Sequence, residues 1–447
     1  MSRKILIRNF GPVKTAEVDL DKNFQIFIGE QASGKSTIGK AVYFCRKIRD
    51  YTLDFLLEDD QFMLNHQNEY FTNYLKYLTP KFMACFGRTK HMPSFNIQYT
   101  WEDIRISIHT NNDGYVRFRY DEMTKKRIQN LLRETADMYA QMDNYNSKSI
   151  IDNITAVGVM KRRLSKFVSE IFGDSDEVIY IPAGRSLLAT LSEDLWGLST
   201  EHMDLTMKEF ISLIQRTRSN FGTKIPEMIK DYTKTVKGQI NNAAVDQAYR
   251  LIREILKADY TSEEDGERIY FDERHWVKLM YGSSGQQEAL WILLLSFILI
   301  LENRRAFVII EEPEAHLFPK AQKKIVNLIA LLVNSTESRV ILTTHSPYIL
   351  TSANILLYSD KVERNRKNVA DSVVPRSLRF SFDKAVAYVV GTENKTIVSL
   401  MDEETHMIDT EYIDSVSGIT NEELERLLDM ESESWSAVSL KRVWRGP

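Results

Sequence analysis

A stretch that reads as a strand, Phe24 to Gly29, runs directly into the loop Gly29-Glu-Gln-Ala-Ser-Gly34-Lys35-Ser36. Beyond it, apolar residues at Ile38, Ala41, Val42, Phe44, Cys45 and Ile48 recur with helical spacing, which predicts a helix over Thr37–Tyr51. A loop of the form G-x-x-x-x-G-K-[ST] between a strand and a helix restricts the fold more than any other feature of the chain. The glycines let the backbone curl so that successive N–H groups face inward at a helix N-terminus, where the helix dipole favours phosphate. The loop from Gly29 through Ser33 and Gly34 therefore reads as a cradle for a nucleoside triphosphate. Lys35 offsets charge on the β- and γ-phosphates, Ser36 offers a hydroxyl to Mg²⁺, and Thr37 reaches an α-phosphate oxygen. The implied ligands are ATP and Mg²⁺.

Two later strand ends carry groups that could act on such a ligand. Phe307-Val-Ile-Ile-Glu311-Glu312 is an apolar run ending in two carboxylates. A buried parallel strand delivers them to the rim of the sheet where phosphates bind. Glu311 is then placed to hold Mg²⁺ through water, and Glu312 to polarise the attacking water as general base. Leu342-Thr-Thr-His345-Ser-Pro ends the next strand, so His345 can donate to the γ-phosphate or hold the water. Tyr281-Gly-Ser283-Ser284-Gly285-Gln286-Gln287-Glu288 opens an apolar helix. It reads either as a plain capping box or as a second anion-binding helix start, contributed by Ser284 and Gly285 to the nucleotide of another copy.

Strands alternate with helices around these motifs: Val178–Pro182, Ala306–Ile310, a helix near Lys320–Asn334, and Arg339–Thr343. That order predicts an α/β chain with a parallel core sheet. Short alternating stretches at Ile5–Phe10, Ala16–Leu20 and Ser94–Tyr120, with a hairpin turn at Asn111–Gly114, predict an antiparallel strand lobe. Residues 187–258 read as mostly helical, and Arg268–Met280 returns to strands. The expected division is 1–186 and 260–358 for the two parts of the core, 187–259 for a helical insertion, and 359–447 for an extension ending in an acidic helix near Asn421–Met430.

Composition removes several function classes. A net charge of −4 over 447 residues predicts no nucleic-acid partner for the chain as a whole, so such a role needs a local basic face. Lys125–Arg127, Lys161–Arg163 and Arg364–Lys367 are the short clusters that could supply one. With 2 cysteines there is no disulfide framework and no Cys-x-x-Cys metal site. The longest apolar run, Ala289–Leu301, falls short of the roughly 20 residues that span a bilayer. It is expected to be a buried helix, and the protein to be cytoplasmic with no membrane partner.

Taken in order, Asn9-Phe10-Gly11, Gly29–Ser36, Ile181-Pro-Ala-Gly-Arg-Ser186, Ser283–Glu288, Ile310–Leu317 and Thr344–Pro347 resemble the ABC-type ATPase heads of the SMC, RecF and OLD (overcoming-lysogenization-defect) group. The resemblance spans residues 1 to about 358 apart from the helical insertion. It is closest to the OLD-like, AAA-type ATPases of bacterial anti-phage systems. It implies P-loop NTPase architecture with an ABC-type head, a signature at Ser284 and Gly285 that reaches a partner's γ-phosphate, and a D-loop over Ala315–Phe318. Three positions depart from the family pattern. Gln286 stands where transporter heads carry a second glycine, Glu311 replaces aspartate, and Arg185 rather than a glutamine follows the Val178–Ile181 strand.

Two functions follow from the resemblance. One is an ATP-hydrolysing switch in a defence system of the Septu or PARIS kind. It would work as at least a homodimer, respond to a nucleic acid or phage protein, and control a separate effector, a nuclease being the expected class. The other is a DNA-repair or DNA-maintenance ATPase that clamps DNA directly. No nuclease cluster is evident in the chain itself.

Overall fold

Along the chain the principal strands are β1 (Lys4–Phe10), β2 (Val13–Asp19), β3 (Phe24–Ile28), β4 (Asn96–Trp101), β5 (Ile104–Thr110), β6 (Val116–Tyr120) and β7 (Glu177–Ile181). They are followed by β8 (Asp259–Glu263), β9 (Gly266–Tyr270), β10 (Trp276–Lys278), β11 (Ala306–Glu311), β12 (Arg339–Thr344), β13 (Ala385–Val390) and β14 (Ile397–Ser399). The computed structural model describes residues 3–58, 69–144, 150–190, 203–235, 240–366, 369–391 and 397–410.

The core sheet has the order β14-β13-β3-β12-β11-β7, parallel except for β14. Its central strands are apolar at nearly every position because both faces are covered. In β11, Ala306, Val308 and Ile310 point into one core, whereas Phe307 and Ile309 point into the other. The first core is closed by the helices Leu205–Arg218, Asn242–Leu256, Ser284–Leu301, Pro319–Thr336 and Pro347–Asn365. The second is closed by the helices Lys35–Glu58, Tyr70–Phe86, Glu122–Asn144 and Ile150–Phe172, together with an antiparallel sheet of order β2-β1-β4-β5-β6. The architecture is the expected α/β P-loop NTPase with an ABC-type head: a parallel core, an antiparallel lobe and helical segments between them.

The apolar run expected to be buried is buried. In the helix Ser284–Leu301 every residue from Gln287 onward is inaccessible. This helix is long and apolar enough to cross a bilayer by composition, yet it packs against the helices Asn242–Leu256 and Pro319–Thr336. The expected hairpin turn also forms, with Gly114 at φ +77° and its N–H donating to the Asn111 carbonyl at 2.9 Å.

One strand was not foreseen. The segment after Ser359, read as an extension, returns as β13 and pairs in parallel with β3 on the side opposite β12. Part of that tail is thus a central strand of the core. The acidic helix expected near Asn421–Met430 lies outside the described residues.

Candidate nucleotide site

β3, β12 and β11 lie side by side in parallel, with Ile28 level with Thr344 and Glu311 level with Thr343. Their C-terminal ends therefore bring the Gly29–Ser36 loop, His345 and Glu312 to one rim. The loop opens directly into the helix Lys35–Glu58. It is tightly enclosed. A Cβ at Gly29 would stand 2.1 Å from the Val390 carbonyl oxygen, and one at Gly34 would stand 2.6 Å from the Val13 side chain. Gly34 also has φ +109°, which side chains rarely adopt. The end of β13 thus walls the loop. The Asn9-Phe10-Gly11 turn, with Gly11 at φ +56°, lies against Thr37 from the other side.

The Lys35 ammonium is buried and spans the loop, donating to the Gly29 and Glu30 carbonyls at 2.9 and 2.8 Å and to Ser33 Oγ at 3.3 Å. Burial lowers its pKa below the usual lysine value, while the charges of Glu312, Glu314 and Glu311 partly offset that shift. A triphosphate brought to this loop would meet a poorly solvated cation, where charge pairing is stronger than in water. Ser36 lies exposed one residue further along.

Glu311 is buried at the end of β11, and each of its oxygens accepts one hydrogen bond. The Tyr180 hydroxyl donates to Oε1 at 2.7 Å and the Ala183 amide to Oε2 at 3.1 Å. Burial, and then the charge of Glu311, hold the Tyr180 hydroxyl well above the usual tyrosine pKa, so it stays a donor. Each carboxylate oxygen keeps a free lone pair. Glu311 and Ser36 both offer oxygen donors, the kind a hard cation such as Mg²⁺ prefers.

Glu312, the next residue, is half-exposed and sits at φ +43°. A non-glycine residue in the left-handed region persists only where its surroundings enforce it. Here the Glu312 amide donates to the Thr343 carbonyl at 2.8 Å. Glu312 Oε1 lies 3.6 Å from His345 Nε2. His345 is steadied from behind by Glu314, whose Oε1 accepts from the His345 amide at 2.9 Å and from the Thr344 hydroxyl at 2.6 Å. Glu312 and His345 therefore stand side by side at the rim, carboxylate against imidazole.

The helix Ser284–Leu301 begins with a capping box: Ser283 Oγ accepts from the Gln286 amide, and Gln286 Oε1 accepts from the Ser283 amide. Gln286 also donates to the Leu256 carbonyl at 2.7 Å. The residue that departs from the transporter pattern thus has a structural task. Ser284 and Gly285 are the first residues of the helix, Ser284 exposed and Gly285 half-exposed. A Cβ at Gly285 would meet the His316 carbonyl at 2.8 Å, so the expected signature and D-loop pack directly on each other. Tyr281 and Phe318, which flank that contact, are 74% and 77% exposed.

A family model described as the AAA ATPase domain matches residues 1–350. The chain belongs to that family. No curated protein matches it in sequence. Among solved structures, an SMC head bound to the C-terminal winged-helix domain of ScpA is 14% identical, with a TM-score of 0.41, covering 90% of this chain and 99% of that one. The SMC head domain from Thermotoga maritima is 10% identical, with a TM-score of 0.37, covering 89% and 98%.

Within this AAA ATPase domain, sequence reading brought the loop, Glu311, Glu312 and His345 to one rim. It left out Glu314 and Tyr180, which orient them. It also assigned no task to Arg185, which is fully buried directly behind the two acids. Glu314 lies within Glu311-Glu-Pro-Glu314 and could have been suspected. An arginine in a short loop gives no such signal, because arginine is usually exposed.

Proposed function

We propose that this AAA ATPase domain protein binds and hydrolyses ATP as a switch, in a site completed by the signature of a second copy. The observation that carries the reading is the in-register ending of β3, β12 and β11, which groups Lys35, His345 and Glu312. Glu312 takes the proton of a water attacking the γ-phosphorus as that phosphorus parts from the bridging oxygen of the leaving ADP, and His345, 3.6 Å away, holds that water and the developing charge. Ser36 and Glu311 would hold Mg²⁺, which neutralises charge on the phosphates. Lys35 and the loop amides hold the triphosphate. Exposed Tyr281 and Phe318 beside Ser284 and Gly285 supply apolar surface for the facing copy. Glu312→Gln should keep ATP bound and slow turnover by ~10²–10⁴-fold. Turnover at the parental rate would remove Glu312 from the role of base.

The motif order favours an OLD-like relative that acts in anti-phage defence through a separate effector. The helices Leu205–Arg218 and Asn242–Leu256 of the insertion are the docking surface we assign to it. A second reading, direct DNA clamping, draws on a different observation. The basic clusters visible in sequence are partly engaged: Lys125 pairs with Glu122, Arg127 with Asp103, and Arg364 with Asp360. By contrast, the outer face of the antiparallel lobe presents Arg8, Arg105, Arg117 and Arg119. All four are exposed, and none has a carboxylate partner among the described residues. If that face binds duplex DNA, replacing Arg105, Arg117 and Arg119 with glutamine should weaken binding. The salt slope should fall by about one for each phosphate that an arginine no longer neutralises. Binding that is absent, or unchanged by the substitutions, leaves the effector reading alone.

A further inference from the structure

The first turn of the signature helix and the end of β11 are tied together through one side chain. The Arg185 guanidinium has every nitrogen engaged. Nε donates to the Glu288 carbonyl at 2.7 Å, Nη1 to the Pro182 and Glu311 carbonyls at 2.6 and 2.7 Å, and Nη2 to the Glu312 carbonyl at 2.9 Å. Nη2 also lies 3.3 Å from the Glu288 carboxylate. That carboxylate turns back to accept from the Arg185 amide at 3.1 Å and the Ser186 amide at 3.0 Å. Both side chains are buried.

Two features distinguish this from an ordinary core ion pair. The fork binds the main-chain carbonyls of the two acids and leaves their carboxylates free for chemistry. It also binds Glu288, one turn beyond Ser284 and Gly285. The peptides after Glu311 and Glu312 are held by Arg185, and the Glu312 amide by Thr343. The backbone of Glu312, at its left-handed φ, is therefore held by this clamp. A close-packed interior passes small displacements on rather than absorbing them.

We propose that Arg185 is a positioning residue, relaying movement of the signature helix start to Glu312, so that engagement of a second copy at Ser284 and Gly285 aligns the base. This rests on the hydrolytic reading above. Lysine cannot substitute, because a compact ammonium with three donors does not span Glu288, Glu311 and Glu312 as a planar fork does.

The test separates binding from turnover. Arg185→Lys should retain ATP affinity and lose ~10²-fold in kcat, the scale expected for a misplaced catalytic group. Combined with Glu312→Gln it should be no slower than Glu312→Gln alone, because both remove the same aligned carboxylate. A parental kcat in Arg185→Lys, or losses that multiply in the double variant, would overturn the proposal. A parental protein without ATPase activity would instead remove the hydrolytic reading first. One measurement needs no variant. In the unmodified protein, a non-hydrolysable ATP analogue should change amide exchange at Gly285–Glu288 and at Glu311–Glu312 together. A change confined to one of the two segments would contradict the relay.

Discussion

The chain contains two helix starts with the same elementary chemistry, a cluster of backbone N–H groups at the positive end of a helix dipole, and it treats them in opposite ways. At Lys35 the approach is a tight glycine loop, walled by Val13 and Val390 and bridged by a buried ammonium. At Ser284 the approach is a capping box closed by Ser283 and Gln286, with its first residues toward solvent. The first start is closely enclosed by its own chain. The second has its structural needs met locally, and exposed Tyr281 and Phe318 lie close in sequence to the Ser284 start and to His316, which it contacts.

Substitutions at the two starts should separate just as sharply. Lys35→Ala removes the charged partner of the phosphates, a loss of ~2–5 kcal/mol in binding and so roughly 30-fold or more in ATP affinity. The ammonium bonds to the loop carbonyls rather than filling an apolar core, so cooperative unfolding should survive. Isothermal titration and thermal melts read the two effects. Ser283→Ala should cost only ~1 kcal/mol of stability, the usual value of an N-cap, seen as a lower urea midpoint with ATP affinity intact. If Ser283→Ala weakened ATP binding as much as Lys35→Ala, both helix starts would serve one nucleotide within one chain, and the comparison would fail.

The same contrast explains what could be read from sequence. Gly29–Ser36 is legible because its glycines, lysine and hydroxyl lie within eight neighbouring positions between a strand and a helix. Glu311, Glu312 and His345 are legible because apolar runs that end in polar residues mark the rim of a parallel sheet. β13 was missed although Ala385–Val390 is itself an apolar run. Its partner is β3, near the opposite end of the chain, and no local pattern announces a pairing at that separation. Arg185 was noted in sequence but its task went unread for the same reason, since its acceptors on Glu288, Glu311 and Glu312 come from two other elements. Gln286, read as a departure at a phosphate contact, is accounted for by its bonds to Ser283 and Leu256. Local chemistry was recoverable; the residues that couple one part of the site to another were not.

The central claim is that the open helix start of one copy completes the closed site of another. Lys35→Ala and Ser284→Arg subunits should each be inactive alone, the first without ATP and the second unable to engage its neighbour. Mixed under conditions that allow exchange, they should recover part of the parental ATPase rate, because one interface then pairs an intact phosphate loop with an intact Ser284. No recovery in mixtures shown to exchange would contradict the account and leave Ser284 as nothing more than the first residue of a capped helix.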